Sequence, residues 1–423
     1  MKIAPRRDRL PTAATPAALE VSIVMPCLNE AETVARCIQK AQSAVEHLGL
    51  HAEIIVADNG STDGSAVIAR ELGARVVEVA RKGYGAALIG GIEAATGEFV
   101  VMGDADASYD FGEIGPFIER LRAGYDLVVG NRFAGGIERG AMPLLHRFGN
   151  PVLTNVSRTF FHTPIRDMHC GLRAFRKDAF ERMHLRATGM EFASEMVIKA
   201  SLKGMRIGEV PVVLHPDGRS RPPHLRTWRD GWRHLRFLLV LSPRRTLVYP
   251  GFALALLGGI ATVALTLGPV KVGAIAFDVN ALAYACLAVL VGTQVFLFGG
   301  FAEVYGRHEG IVHERRLARW TRWLSLETCT AAGLVLIAIG LTGSILALSA
   351  WGASGFGEQD ARAAIRVVLP SATASATGIL VIFSGLFASL LSLRVVHAHV
   401  PSATMPAGED DEPKTGDLVQ PVS

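Results

Sequence analysis

The sequence predicts an α/β domain with a mostly parallel sheet, followed by an all-α domain of four transmembrane helices. Two observations lead to this prediction. Across residues 21–215, short apolar runs alternate with amphipathic stretches, as strands and helices do when a parallel sheet is covered on both faces. Across residues 246–396, long runs of Leu, Ala, Val and Gly replace that alternation. A chain of 423 residues is long enough for both domains.

Five strands are predicted in the α/β domain, and a helix follows each of the first four. The predicted strands are Val21–Met25, Glu53–Ala57, Ala74–Val79, Phe99–Met102 and Leu127–Gly130. The helices begin near Ala31 or cover about Ser65–Leu72, Ala86–Ala95 and Ile114–Arg122. Ligands of such sheets bind at the edge where the carboxyl ends of the strands meet, here called the rim. We expect the polar clusters "PCLNE", "DNGSTDGS", "RKGYGAA", "GDADASYD" and "GNRF" to line the rim.

Four apolar stretches are long enough to cross a bilayer as helices, which takes roughly 20 residues. They cover about 246–267, 281–304, 328–350 and 371–393. Buried helices of a large soluble core are the alternative, but four such runs in series without charge are rare outside membranes. Arginines crowd the segment before the first stretch and the loop between the second and third. The positive-inside rule therefore predicts that the α/β domain, the 305–327 loop and the C-terminal tail face the cytoplasm.

An amphipathic juxtamembrane helix is predicted over residues 219–245. Its apolar residues recur at alternating spacings of three and four and include Trp228 and Trp232, while arginines occupy another face. This pattern is typical of a helix at a membrane surface, and an ordinary core helix is the alternative. The α/β domain then covers residues 21–218. We expect a disordered leader over 1–20, without a secretory signal, and a disordered tail over 397–423.

Charge and cysteine content narrow the classes of function. The net charge of +4 says little as a total, and its distribution says more, because arginines crowd residues 219–245 and 307–322. We expect no nucleic-acid partner. The five cysteines are scattered and form no CxxC pair, which argues against a zinc site or a disulfide framework and fits a reduced cytosolic setting.

Two carboxylates, Asp104 and Asp106, follow the predicted fourth strand directly. Burying unpaired carboxylates is costly, so such groups need a cation, hydrogen bonds or water. Two aspartates spaced in this way can approach one Mg²⁺ or Mn²⁺, which usually completes its oxygen shell with water and substrate phosphates. A solvated loop is the alternative. The position at the rim favours a metal site that holds a diphosphate.

Polar side chains after the other strands suit a nucleotide and a second anion. Asp58 comes first after its strand and can bond a base or ribose, whereas Asp63 is as readily a turn residue. Lys82 is either a phosphate ligand or a solvated lysine. Several arginines also fall near the rim, and guanidinium groups match phosphate oxygens. They are Arg132, Arg147, Arg173, Arg219 and Arg221, each of which has a surface charge or ion pair as its alternative role.

A second acidic pair, Glu191 and Glu195, lies one helical turn apart. Three roles are open for this pair from the sequence. It contains a catalytic base, or it caps the helix, or it binds arginines.

In series, the motifs P-x-L-N-E, D-N-G-S-T-D, K-G-x-G-x-A, D-A-D, G-N-R-F and C-G-L-R-A-F resemble the inverting GT-A glycosyltransferases. The resemblance covers about residues 21–245 and is closest to the polyprenyl-phosphate sugar synthases, the dolichyl-phosphate mannose or glucose synthase group. The four apolar stretches resemble the members of that group that carry a membrane domain. The implied fold is a GT-A Rossmann-like domain followed by membrane helices.

The resemblance implies roles for particular residues. It assigns nucleotide binding to Pro26, Asn29, Glu30, Asp58, Lys82 and Asp104. It assigns Mg²⁺ or Mn²⁺ to Asp104 and Asp106, with Asp106 favoured as the direct ligand. It assigns the acceptor phosphate to Arg132, Arg147, Arg173, Ser220 and Arg221, where Arg221 replaces the lysine of a G-x-S-K motif. Asp106, Arg132 and Arg147 are the implied catalytic set. Ser108 departs from the family, many members of which have a metal-binding glutamine there.

The implied reaction transfers one sugar from a nucleotide diphosphate sugar to a polyprenyl phosphate with inversion. UDP-glucose is the favoured donor and GDP-mannose the next. The acceptor phosphate is already anionic near neutral pH, so no strong base is needed. A processive polysaccharide synthase is disfavoured because no Q-x-x-R-W motif is present. A lipid-linked-sugar carrier or flippase with an inactive sugar-nucleotide domain remains the alternative function. Among the partners, a second copy of this chain in a homo-oligomer is also left open.

Overall fold

The computed structural model describes residues 19–220, 227–308 and 324–392, and within them one mixed sheet organises the N-terminal part. Its strands are β1 (Val21–Cys27), β2 (Ala52–Asp58), β3 (Arg75–Glu78), β4 (Phe99–Met102), β5 (Leu127–Asn131), β6 (Gly136–Ile137), β7 (Arg173–Arg176) and β8 (Ile207–Leu214). The strand order is β3-β2-β1-β4-β7-β5-β8-β6. All pairs are parallel except those of β7, which runs antiparallel between β4 and β5.

Helices cover the sheet on both faces. They are α1 (Val34–His47), α2 (Ser65–Glu71), α3 (Tyr84–Ala94), α4 (Gly115–Arg122), α5 (Arg132–Gly135), α6 (Leu144–Phe161), α7 (Lys177–Met183) and α8 (Phe192–Leu202). The helix α1 buries Val34, Cys37, Ile38, Ala41 and Ala44, which repeat at the spacing of one helical face. The strands β1 and β4 are apolar and almost wholly buried because helices pack on both sides of them.

The predicted fold class is confirmed, and the five predicted strands are β1 to β5. The short strand β7 was not predicted. Its sequence, Arg-Ala-Phe-Arg, has charged residues at both ends and no apolar run. It pairs with β4 and β5 so that Arg173 lies opposite Met102 and Val129, at the carboxyl ends of those strands. The loop 167–172 therefore enters the sheet at the rim.

Beyond the α/β part lie α9 (Thr227–Val240), α10 (Tyr249–Leu267), α11 (Val279–His308), α12 (Leu326–Ala353) and α13 (Ala361–Ser392). A π-helical turn, Arg244–Val248, leads into α10, and a hairpin of β9 (Val270–Val272) and β10 (Ile275–Phe277) joins α10 to α11. Four segments are long and apolar enough to cross a membrane: Arg244–Leu267, Val279–Gly306, Leu326–Ala353 and Ala361–Ser392. The fourth begins ten residues before its predicted start at 371 and contains Pro370.

The juxtamembrane segment differs from its predicted extent. The helix α9 begins at Thr227, and residues 215–220 instead form an extended strap on the α/β part. Trp228 is 82% exposed and Trp232 58%, whereas Leu238 on the other face is buried. The indole rings thus face outward. Residues 1–18 of the predicted leader, the predicted tail, and Arg221 lie outside the described residues.

Replacing Gly91 by alanine tests the packing of α3 on the sheet. A Cβ at Gly91 would lie 2.7 Å from Val24 Cγ1 and 2.9 Å from Ala57 Cβ. We expect Gly91→Ala to destabilise the protein by about 1–3 kcal/mol because α3 must shift away from β1 and β2 to admit the methyl group. The measurement is thermal unfolding of the full chain in detergent. Gly149→Ala is the control, since a Cβ there meets nothing within 4 Å; an equal loss in both variants would contradict the packing.

Candidate active site

The turns after β1 and β2 are tied together at the rim. Asn29 has a left-handed backbone, with φ of 60°, and its side-chain oxygen accepts a hydrogen bond from Thr62 N at 2.8 Å. Its own N–H donates to Ser61 Oγ at 2.9 Å. Pro26 lies near the end of β1, just before this turn. The two predicted nucleotide-side segments therefore form one rigid surface.

Asp58 and Asp63 shape the turn after β2. The Asp58 carboxylate is 6% exposed and accepts the N–H groups of Gly60 and Ser61 at 3.1 and 3.2 Å. Asp63 accepts Ala31 N at 2.9 Å and also bonds Ser65. Burial opposes these bonds, but together they hold the pKa of Asp63 below its usual value. Asp63 is thus a turn residue, the alternative that the sequence left open.

Lys82 stands beside this turn. Its Nζ donates to the Asn59 carbonyl at 2.6 Å, and Asn59 Oδ1 accepts Gly83 N at 2.8 Å. A cavity of about 650 Å³ opens next to Lys82, between Gly83, the Thr188–Gly189 turn and α9. On α9 it is lined by Arg233, Arg236, Phe237 and Val240. Glu191 lines it as well, so a partly apolar cavity with charged groups of both signs connects the rim to the juxtamembrane helix.

The acidic pair lies where β4 ends. Asp106 is 8% exposed, and Ser108 donates to it through both its N–H, at 2.9 Å, and its hydroxyl. Burial, together with the negative charge of Asp106, raises the pKa of Asp104 to about 7, and a hydrogen bond from Tyr84 opposes that rise. Through these two bonds, Ser108 orients the Asp106 carboxylate. The pair concentrates negative charge in a poorly hydrated place.

The strap, residues 215–220, crosses this acidic turn. Its backbone donates from His215 N to Ser108 O at 3.0 Å and from Gly218 N to Asp106 O at 2.9 Å. The Arg219 guanidinium bonds Glu30 Oε1 at 3.1 Å and also Asp106 Oδ2. The sequence placed Arg219 among anion-binding arginines, but the structure pairs it with carboxylates.

The predicted motif residue Ser220 is likewise engaged. Its N–H and hydroxyl both bond the Glu32 carboxylate, with the N–H at 2.7 Å.

The acidic pair fits a divalent cation held jointly with a substrate. Among the described residues, no three acidic, His or Cys side chains come together as a complete cage. Mg²⁺ and Mn²⁺ need no such cage, because one or two carboxylates with substrate phosphates and water suffice. The Arg219 guanidinium on Asp106 and Glu30 acts as a stand-in cation. The donor set of Asp104 and Asp106 therefore suits Mg²⁺ or Mn²⁺.

Arg132 lies at the end of β5, in a buried ion pair. It is 7% exposed and holds Asp167 with two parallel bonds, Nε to Oδ2 at 2.7 Å and Nη2 to Oδ1 at 2.8 Å. Its backbone N–H also donates to Asp167, at 3.1 Å. A phosphate at this position would share the guanidinium with Asp167.

Arg173 is a core residue. It is fully buried and donates to the carbonyls of Cys170, Ala193 and Met168 at 2.8, 2.6 and 2.7 Å. These bonds hold the loop before β7 against α8. The prediction that Arg173 binds an acceptor phosphate is therefore corrected, since its donors serve the protein interior. Glu195 is also structural, because it pairs with Lys199 at 2.7 Å and accepts the N–H groups of Arg186 and Ala187.

Arg147 lies on a surface that the sequence did not single out. It is exposed on the first turns of α6, among apolar side chains that are also exposed. These are Leu144 (73%), Leu145 (45%), Phe148 (72%) and Val152 (61%). The spacing of four between Leu144, Phe148 and Val152 was a readable signal of one apolar face. The helix α6 also packs against α9, the helix that carries the exposed Trp228 and Trp232.

A histidine pair joins α9 to the rim. The His169 and His234 rings meet edge to face with centroids 4.8 Å apart, and His234 Nδ1 lies 2.7 Å from Ser194 Oγ. Burial, with neighbouring His234, Arg132, Arg173 and His146, holds the pKa of His169 well below its usual value. A neutral His169 ring can pack against the His234 ring without a counter-ion. Two residues further along, a Cβ on Gly171 would lie 2.6 Å from Asp104 Oδ2.

The fold and site define a membrane-bound transferase of the nucleotide-sugar type, with an acidic pair at the rim and four apolar helices behind it. The family model described as Glycosyl transferase family 2 matches residues 22–183. A second, described as Glycosyltransferase family 2 C-terminal transmembrane region, matches residues 300–392. The chain belongs to glycosyltransferase family 2, and the predicted family is confirmed.

Two of its relatives come from Haloferax volcanii. The chain is 39% identical over 339 residues to the low-salt glycan biosynthesis hexosyltransferase Agl6 of Haloferax volcanii, covering 79% of this chain and 81% of that one. It is 29% identical over 194 residues to the dolichyl-phosphate hexose transferase of the same organism, covering 46% and 82%. A glucosyl-3-phosphoglycerate synthase from Mycobacterium tuberculosis, solved with Mn²⁺ and UDP, covers 53% of this chain and 78% of its own, at 22% identity and a TM-score of 0.42.

Two arginine variants separate the core from the surface. We expect Arg173→Gln to lower the free energy of unfolding by at least about 2 kcal/mol, since it strips buried carbonyls of their donors. We expect Arg147→Gln to change it by less than about 0.5 kcal/mol, because its side chain is exposed. Thermal unfolding of both full-length variants in detergent is the measurement. Unchanged stability in Arg173→Gln would return that residue to the list of ligand candidates.

Proposed function

We propose that this glycosyltransferase moves one hexose from a nucleotide diphosphate sugar to a polyprenyl phosphate at the membrane surface, with inversion. The observation that carries the proposal is the short path between acidic pair and membrane helices. Gly171 lies against Asp104, His169 lies two residues earlier, and His234 of α9 packs on His169. A donor held at the rim would thus be within one loop of a lipid-facing helix.

The donor half of the site is proposed at the turns after β1, β2 and β4. Asn29, Glu30 and Asp58, with Pro26 and Lys82 beside them, would contact the nucleotide. Asp104 and Asp106 would hold a divalent cation, Mg²⁺ or Mn²⁺, which when bound stabilises the negative charge of the leaving diphosphate. The protein's own task is to fix the sugar and exclude water from its anomeric carbon. UDP-glucose is the favoured donor and GDP-mannose the second.

The acceptor half is proposed where α6 and α9 meet the rim. A polyprenyl phosphate combines an anion with a long apolar chain, and Arg147 among exposed apolar side chains matches both. Arg132 would share its guanidinium between Asp167 and the phosphate. A phosphate oxygen, anionic near neutral pH, would attack the anomeric carbon opposite the leaving diphosphate without a general base. The similarity to a protein named dolichyl-phosphate hexose transferase supports this acceptor class.

The proposed orientation has the α/β domain in the cytoplasm. Arg244 and Arg245 stand at the start of the first apolar segment, on the side of the α/β domain. Basic residues at one end of a span favour the cytoplasmic side. Nucleotide sugars would then meet the rim at the inner leaflet.

Neutralising the acidic pair tests the reaction. We expect Asp106→Asn to lower the synthesis of lipid-linked sugar by at least about 100-fold, because the charge opposite the leaving group is lost. The measurement uses membranes with a panel of radiolabelled nucleotide sugars and polyprenyl phosphates, with and without EDTA. Asp178→Asn is the control. Asp178 is exposed and follows the end of β7, which pairs with the start of β4 at the opposite end of the sheet from the acidic pair. Labelled lipid from no donor would favour a carrier without transferase activity.

A charge on the apolar face of α6 tests the acceptor half. We expect Phe148→Asp to lower the rate with a long-chain polyprenyl phosphate in vesicles roughly tenfold, since a Phe side chain buried in lipid contributes about 1.5–3 kcal/mol. The rate with a short, water-soluble prenyl phosphate should stay near that of the wild type. Val67→Asp, at an exposed apolar residue on α2, is the matched control. Equal losses with both acceptors would contradict the assignment of α6 to the membrane.

A further inference from the structure

Two buried carboxylates, Glu30 and Asp106, lie beneath the strap, and one guanidinium compensates both of them. Glu30 is 7% exposed and Asp106 8%, and the Arg219 side chain is 12% exposed between them. The Nε of Arg219 also lies 3.4 Å from Asp217. Buried charges of this kind persist only when a counter-charge lies close by. Arg219 is that counter-charge in the protein as it stands.

The strap fixes Arg219 at this place. Gly218 N bonds the Asp106 carbonyl, and Ser220 bonds Glu32 on the other side of the arginine. A Cβ on Gly218 would lie 2.9 Å from Thr33 Cγ2, so the backbone approaches α1 more closely than other residues allow. The backbone is therefore fixed on both sides of Arg219, so the guanidinium is held at the carboxylates more firmly than a free surface side chain would be.

We infer that Arg219 is an internal counter-ion that competes with the divalent cation for Asp106. This inference rests on the metal site of the proposed function. A guanidinium and a dication on one carboxylate repel each other, so binding of the cation requires Arg219 to leave. The strap then loses the side-chain bond of Arg219 to Asp106 and keeps its backbone bonds to the acidic turn. Arg219 is thus a positioning residue that sets how tightly the empty site takes up a cation.

A nucleoside diphosphate changes this competition. Its phosphates bring negative charge to the acidic pair, and a guanidinium fork matches phosphate oxygens. The displaced arginine gains a partner when diphosphate and cation arrive together, and gains none when the cation arrives alone. The wild-type protein therefore takes up the cation weakly by itself and more tightly with the diphosphate, so that uptake of the two is coupled.

The test measures Mn²⁺ affinity of the full-length protein in detergent, by electron paramagnetic resonance of free Mn²⁺, with and without UDP. We expect Arg219→Gln to bind Mn²⁺ alone about tenfold more tightly than the wild type, since the competing charge is gone. We expect UDP to raise its Mn²⁺ affinity less than it raises that of the wild type. Arg36→Gln is the matched control, because the exposed Arg36 guanidinium lies beside the strap, with Nη2 3.5 Å from the Cβ position of Gly218. That variant should stay within about twofold of the wild type.

Unchanged or weaker Mn²⁺ binding in Arg219→Gln, or an equal gain in Arg36→Gln, would overturn the inference. Absence of Mn²⁺ binding in both the wild type and Arg219→Gln would overturn it as well. The readout involves neither sugar transfer nor lipid. Tighter Mn²⁺ binding in Arg219→Gln with no lipid-linked sugar from any donor would leave the inference standing and reject the proposed function. Metal-dependent synthesis of lipid-linked sugar, with no tighter Mn²⁺ binding in Arg219→Gln, would support the proposed function and reject the inference.

Discussion

Compensation of buried negative charge at the end of β4 is the constraint around which the rim is built. The turn that carries Asp104 and Asp106 packs under Gly171, beside Tyr84, and beneath the strap. Each neighbour removes water from the carboxylates, and burial with mutual repulsion raises the pKa of Asp104 to about 7. A site that pays this cost in hydration gains affinity for cations, whether the cation is a guanidinium of the chain or an ion brought with substrate phosphates.

The antiparallel strand β7 decides what surrounds that turn. Because β7 runs antiparallel between β4 and β5, the loop before β7 must end at the carboxyl ends of both neighbours. That loop carries Asp167, which pairs with Arg132, and His169, whose ring packs against His234 of α9. Arg173 then locks the loop by donating to three carbonyls in the interior. One inserted strand thus connects the acidic pair, the β5 arginine and the juxtamembrane helix.

Local pattern predicted much of this arrangement, and long-range contact supplied the rest. The parallel strands, the rim and the acidic pair follow from apolar runs that end in polar residues. The role of Arg173 does not, because "CGLRAF" reads alike whether its arginine points to solvent or into the core. Arg219 meets Asp106 across 113 residues of sequence, and nothing near either residue signals the pairing. The apolar face of α6 was readable from the spacing of Leu144, Phe148 and Val152, although Pro151 interrupts the helical pattern.

The membrane part is attached to this site through two adjacent arginines. Arg244 Nε bonds Glu303 Oε1 at 2.6 Å, and Glu303 is only 1% exposed on α11. Arg245 lies 5.7 Å from the centroid of the Phe160 ring on α6. The start of the first apolar segment is therefore bound on one side to the second segment and on the other to the α/β domain. Since α9 is also fixed to the rim through His234, the domain is held to the membrane helices at two separate places, which limits its rotation relative to the bilayer. In the proposed reaction, an acceptor phosphate at the headgroup level would then meet a rigid rim, and the lipid chain would contribute little to the alignment.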